Sequence, residues 1–384
     1  MKNPWSFFFY FFYFAAISTL FPYLVLYYGE LSLTGSQIGF LTAISPLVVL
    51  FSAPLLTGIA DSSHRHRLVL ALSLSGVMLI VLVLSAVSTF ALLLFLILLF
   101  AFFMSPVNPL ADSATMFMLG DRKDLYGRVR LGGTIGFGIA SLIAGMVIQR
   151  AGLNSSFFMF AFLIFITLLF GLKLKFPEID KKVSVSKGIK SLLARPRWVW
   201  FFALVFIGGL SLAIVNTYLF LYLDELGASK TLMGFSMVVA TISEIPLLFF
   251  SNRLIRRFGS LGLLVLALFV AGLRLLLFSA VHLPIGIVAI QCLQGLTFPI
   301  VWVAGVAYAN EHAPVGLNAT AQGLFGSMLM GFGAAAGNFL GGILIDAYDT
   351  RTMFFTMGLI TLVSLITLVL VEKRLPADTH AQTV

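Results

Sequence analysis

Apolar stretches near twenty residues long follow one another along this chain, separated by short polar or Gly/Pro-rich breaks. Cutting at the breaks predicts six spans in the first half, at about 5–28, 37–60, 68–88, 90–117, 127–149 and 154–175. The second half yields about 198–223, 229–252, 260–281, 284–309, 320–345 and 351–371. A bilayer core about 30 Å thick needs about 20 apolar residues per helix, so the pattern predicts twelve transmembrane helices. Between the halves, FPEIDKKVSVSKGIKSLLARPR at 176–197 is the longest polar stretch and reads as a linker. The expected fold is an all-α membrane protein: a six-helix bundle at 1–175, a cytoplasmic linker at 176–197 and a second bundle at 198–384.

Composition narrows the solvent to lipid. Sixty per cent of the residues are apolar and 10% charged, against about a quarter charged in soluble domains. Cys292 is the single cysteine, which excludes an intrachain disulfide framework or a thiolate metal cluster. The N-terminal apolar run is longer than a signal h-region and has no small-residue cleavage site, so the first helix is expected to remain. With a cytoplasmic N-terminus, twenty Lys/Arg fall in inside segments and three, Arg150, Lys230 and Arg351, outside. This asymmetry places both termini in the cytoplasm and the protein in the cell's inner or plasma membrane. The net charge of +9 then reports topology and gives no ground for a nucleic-acid partner.

The two halves share text. Residues 21–40, FPYLVLYYGELSLTGSQIGF, match 216–235, NTYLFLYLDELGASKTLMGF, at eight of twenty positions with a constant offset of 195. IGFGIAS at 135–141 matches MGFGAAA at 330–336 at the same offset. Two matches in corresponding helices indicate a parallel repeat about an axis along the membrane normal. Gly132 and Gly136, and Gly333, Gly337 and Gly341, have the spacing that lets membrane helices approach closely. Tyr23, Tyr27, Tyr218 and Tyr222 are expected in the aromatic belt at the water interface.

Ionisable residues inside a span are costly and are functional candidates by default. Four stand out: Asp112, Arg130, Glu244 and Arg274. The offset sends them to Ala307, Phe325, Val49 and Leu79, so the repeat copies none of them. Two acids and two bases suggest the pairs Asp112/Arg130 and Glu244/Arg274, either as a static structural pair or as a carboxylate that trades its arginine for a proton. Gln291, Gln294, Thr297 and Asn216 can hydrogen-bond a substrate or join helices. Ser105, Pro106, Asn108 and Pro109 predict a kink in the fourth span, and Tyr10, Tyr13 and Phe14 give the first an aromatic face.

YGRVRLGGTIGF at 126–137 resembles the start of the fifth helix in the lactose permease and phenylpropionate permease group of the major facilitator superfamily. The resemblance puts the family's substrate-binding arginine at Arg130, its acidic partner at Asp112 and its stacking aromatic at Phe137, with PLAD at 109–112 of the phenylpropionate type. SEIPLLFFSNRLIRRFG at 243–259 resembles that group's eighth helix and following loop, which assigns Glu244 and Arg274 to proton coupling. The family's histidine and glutamate of the tenth helix correspond here to Gln294 and Thr297, so coupling would fall to Glu244 or Asp112. GIADSSHRHR after the second span keeps the acid and bases of the superfamily's loop motif without its central glycine, and implies gating roles for Asp61 and Arg65.

The resemblance implies a monomeric proton symporter that takes up a small organic solute by rocking of the halves. Substrate contacts are expected from Arg130, Asp112, Phe137, Asn216, Gln294 and Tyr13. An aromatic carboxylate leads, a sugar or nucleoside is the near alternative, and efflux by antiport ranks lower because residues 127–149 hold no proline. No nucleotide loop, catalytic triad, cofactor motif or metal-ligand set is visible, so the energy is expected from a gradient and no enzyme activity is expected.

Overall fold

The computed structural model describes residues 4–122, 125–176, 190, 192–314, 317–372 and 374. Most of the expected linker, 177–189 and 191, lies outside the described residues, as do Lys2, Lys123 and Lys373. The described chain is helical, with no strand among the described residues. Its first half contains α1 (Trp5–Glu30), α2 (Gly35–Ser63), α3 (His66–Leu84), α4 (Phe90–Met104), α5 (Val107–Leu119), α6 (Tyr126–Ala151) and α7 (Ser155–Gly171). The second contains α8 (Pro196–Glu225), α9 (Lys230–Phe258), α10 (Ser260–Ala280), α11 (Pro284–Ile290), α12 (Phe298–His312), α13 (Asn318–Gly326), α14 (Ala334–Ala347) and α15 (Thr350–Glu372). A 3-10 segment, Gln291–Leu296, joins α11 to α12, and a π-helical segment, Ser327–Gly333, joins α13 to α14. Counted across these interruptions among the described residues, eleven helices are long and apolar enough to cross a bilayer. The 17-residue α7 is the shorter apolar helix at the expected sixth span.

Contacts group the chain into two compact units, Met1–Lys181 with Leu219–Thr241, and Lys182–Tyr218 with Ile242–Val384. In the first, α1 packs on α6 and α7, and α4 on α2 and α3. In the second, α10 packs on α12 and α15. Glycine sets the closest crossings. A methyl group on Gly136 would sit 2.1 Å from the Phe11 carbonyl oxygen, and one on Gly132 would sit 2.6 Å from that of Phe7. The same device serves the second unit, where Gly333 and Gly337 leave 2.6 and 2.4 Å to the carbonyl oxygens of Phe206 and Leu210 on α8. Lipid drives no association between apolar helices, so backbone approach of this kind supplies the packing.

The duplicated text contributes helix starts. Thr34 Oγ1 accepts from the Gln37 N–H at 3.2 Å while the Thr34 N–H donates to Gln37 Oε1 at 3.0 Å, a reciprocal cap on α2. Ser229, 195 residues on, accepts from the Leu232 N–H at 3.2 Å and caps α9. Asp349 does likewise for α15, and the Thr352 N–H at 2.5 Å holds its carboxyl below the usual carboxylate range. The four repeated tyrosines depart from the expected belt, because Tyr23, Tyr27, Tyr218 and Tyr222 are all buried. Backbone carbonyls inside the protein explain this for three of them: Tyr23 donates to Lys230 at 3.4 Å, Tyr27 to Leu84 or Val87 at 3.2 Å and Tyr218 to Asn338 at 2.5 Å.

Replacing Gly136 by Ala is expected to lower the thermal unfolding midpoint in detergent, by about 1–3 kcal/mol of overpacking. Gly127→Ala on the same helix meets nothing within 4 Å and is expected to leave the midpoint unchanged or raised.

Candidate functional site

Both clusters of intramembrane charge sit beside a break in a helix. Between α4 and α5, Pro106 has no N–H to give to the Phe102 carbonyl, and Ser105 Oγ takes that bond at 2.8 Å. The kink expected from Ser105, Pro106, Asn108 and Pro109 is therefore present, and it opens the short helix that carries Asn108 and Asp112. In the other cluster, Pro299 near the start of α12 cannot bond the Gly295 carbonyl, and the preceding turn tightens into the 3-10 segment Gln291–Leu296. Gly295 is needed there, since a methyl group would lie 2.1 Å from the Ser243 carbonyl oxygen on α9.

In the first unit two tyrosines converge on one oxygen of Asp112. Tyr10 donates to Asp112 Oδ1 at 2.5 Å, and Tyr126 donates to the same oxygen at 2.9 Å. Arg130 lies over two rings, its guanidinium carbon 4.2 Å from the Phe14 centroid and 4.9 Å from that of Tyr10. The expected Asp112/Arg130 ion pair does not form: the two tyrosine hydroxyls occupy the carboxylate, and the guanidinium is held by aromatic faces. Its hydrogen-bond donors have no protein partner among the described residues. Tyr13 is buried and accepts from Asn108 Nδ2 at 3.1 Å. The Asn108 side-chain oxygen and the Thr115 hydroxyl are buried without a partner. Phe137 lies two turns past Arg130 on α6 and is half-buried.

In the second unit Arg274 is only 1% exposed. It donates to Gln294 Oε1 and Gln291 Oε1, and to Thr297 Oγ1 at 3.3 Å. Two of its five N–H groups, that of Nε and the second on Nη2, have no partner among the described residues. The Gln294 amide then donates from Nε2 to Glu244 Oε1 at 3.2 Å. This amide orientation is fixed by charge, since its oxygen faces a cation and its N–H an anion. The expected direct Glu244/Arg274 pair is thus corrected to a relay, Glu244–Gln294–Arg274. Thr297 Oγ1 also donates to the Gln294 carbonyl at 2.9 Å, so both side chains standing where the family has histidine and glutamate serve Arg274.

The remaining expected residues are dispersed. Asn216 is exposed on α8, and its neighbour Thr217 makes the interhelical bond, to Asn338 Oδ1 at 2.8 Å. Asp61 pairs with His66 Nε2 at 2.7 Å, with the His66 ring stacked on Phe176, whereas Arg65 is an exposed residue at the start of α3. Tyr126 was visible in the YGRVR text without a role; its position four residues before Arg130, on one face of α6, is the signal that places it at the site. Among the described residues no group of three His, Cys, Asp or Glu side chains could hold a metal.

The family model described as MFS_1 like family matches residues 5–356. The chain is 29% identical to the "Uncharacterized transporter YwbF" of Bacillus subtilis (strain 168), over 92% of this chain and 89% of that one. It is 27% identical to the "Maltose permease" of Geobacillus stearothermophilus, covering 95% and 93%. The crystal structure of "nucleoside transporter NupG" superimposes with a TM-score of 0.86 at 19% identity, covering 97% of this chain and 100% of that one, a likeness of fold.

Substituting Gln291 by Leu removes one acceptor from a buried guanidinium, which costs about 1.5–3 kcal/mol for a charged group. A clear fall in the unfolding midpoint is expected, against no change for Cys292→Ser at the neighbouring exposed position.

Proposed function

The chain belongs to the MFS_1 like family, and from that premise we propose that it is a proton-coupled symporter for the uptake of a sugar or a nucleoside. Family membership makes it a multi-span membrane transporter of small molecules. The finer reading is carried by one observation: Arg130 lies over the Tyr10 and Phe14 rings with its planar fork of donors unspent among the described residues. Such a fork suits a pair of hydroxyls or a carboxylate, and nearby aromatic rings suit the flat face of a sugar or a base. The relatives turn the choice from the aromatic carboxylate expected from the sequence toward its alternative, because one is named a maltose permease and the structural likeness is to a nucleoside transporter.

In this reading Arg130 grips the substrate, Asp112 holds Tyr10 and Tyr126 in place around it, and Tyr13 and Phe137 of the same unit contribute further contacts. Glu244 is the proton carrier. With its proton off, it orients the Gln294 amide, whose oxygen faces Arg274. Protonation removes the charge that fixes this relay, and so links the proton to the tenth-span segment Gln291–Leu296. The repeats 1–175 and 198–384 are the elements that alternate access, with Asp61 and Arg65 in the gating loop and both termini cytoplasmic.

Uptake of labelled sugars, nucleosides and phenylpropionates into vesicles with an imposed proton gradient tests the proposal. A sugar or nucleoside is expected to accumulate, and accumulation of the aromatic acid alone would overturn that choice. Arg130→Ala loses two charge-assisted hydrogen bonds, a drop of about 100-fold or more in transport; unaltered uptake would remove Arg130 from the site. Glu244→Gln is expected to abolish gradient-driven accumulation while substrate counterflow persists, and equal loss of both would refute a coupling role.

A further inference from the structure

The end of α9 carries more cation than the helix can use. Arg253, Arg256 and Arg257 are all exposed, none forms an ion pair among the described residues, and the chain holds no acidic residue between Glu244 and Glu311. Two of the three converge on a groove of about 310 Å³ lined by Pro246, Leu247, Phe250, Arg253, Leu254 and Arg257. Spaced four apart, Arg253 and Arg257 are neighbours on one helix face. The lining runs eleven residues along α9, about 16 Å at about 1.5 Å per residue. Its upper part is apolar, and the adjoining Phe249 is 81% exposed, a surface that belongs in hydrocarbon.

A ligand matched to this shape joins a compact anion to a long apolar chain. We propose that α9 carries a binding site for an anionic phospholipid, its phosphate at Arg253 and Arg257 and an acyl chain along Leu247, Phe250 and Leu254. Free phosphate would meet the arginines and leave the apolar groove empty. A zwitterionic lipid would bring its own cation to the guanidinium pair and gain less. The internal repeat supplies a comparison. The offset of 195 maps the lining to Phe51, Ser52, Leu55, Gly58, Ile59 and Ser62, which keeps apolar character and has no cation. The arginine pair is a property of the second repeat alone.

The purified protein, stripped of lipid in detergent, is titrated with phosphatidylglycerol, phosphatidylcholine or inorganic phosphate while thermal unfolding and lipid retention by native mass spectrometry are followed. Phosphatidylglycerol is expected to raise the midpoint saturably and to remain bound, with little response to the other two. The double variant Arg253→Gln/Arg257→Gln is expected to bind it about 30-fold more weakly, from about two surface cations lost, while Arg256→Gln, off the groove, keeps the response. If the double variant does not fold, the graft Gly58→Arg/Ser62→Arg reads the same idea as a gain, a second retained phosphatidylglycerol. Equal responses to phosphatidylcholine or to inorganic phosphate, or an unchanged response in the double variant, or a graft that gains nothing, would overturn the proposal.

Discussion

A charge inside a bilayer has no water to turn to, and the second unit is organised around that fact. Arg274, on an apolar helix and almost wholly buried, must spend its guanidinium donors on the protein. Three neutral side chains, Gln291, Gln294 and Thr297, take them. They reach it because the tenth span abandons the α-helix for six residues of 3-10 helix, which Pro299 follows and Gly295 fits against α9. A direct carboxylate would neutralise the charge outright. An intervening amide leaves Glu244 tied to Arg274 by one bond that can change when the carboxylate takes a proton.

The first unit answers the same constraint differently. Asp112 is met by hydroxyls from Tyr10 and Tyr126, and Arg130 by the faces of Tyr10 and Phe14. Cation–π contact stabilises a guanidinium without consuming its N–H groups, so Arg130 is held in place with its donors unspent among the described residues. Arg274 spends three of its five N–H groups on hydrogen bonds to neighbouring side chains. In the proposed transporter this asymmetry gives the two arginines different work, the one toward a ligand and the other toward the protein's own helices.

Much of the architecture was legible because bilayer thickness imposes a length and lipid imposes a composition. Span positions, the repeat and its glycine contacts follow from those two demands, and the glycines at 132, 136, 333 and 337 meet facing backbones as their spacing implied. The four charges were legible too, since each lies within a predicted span and none is copied by the repeat. Their partners were not. Opposite signs on adjacent helices predicted ion pairs, but pairing depends on rotation of each helix about its axis, which hydropathy does not report in lipid. The repeated tyrosines fell to the same ambiguity: an amphipathic ring suits the interface or a buried carbonyl equally, and packing chose the carbonyl. His66 became the partner of Asp61 because the left-handed residue His64 turns the chain back on itself.

The sequence alone therefore determined that the chain crosses a membrane many times, that it was built twice on one plan, and which ionisable residues broke that plan. These are statements about solvent and spacing, which are local properties of a chain. Only the tertiary structure decided that two tyrosines own Asp112, that aromatic rings cradle Arg130 and that Gln294 stands between Glu244 and Arg274. Hydrogen bonds act over about 3 Å. At that range the outcome depends on helix rotation, a proline break and a missing side chain at Gly295, and those are settled only when the helices pack.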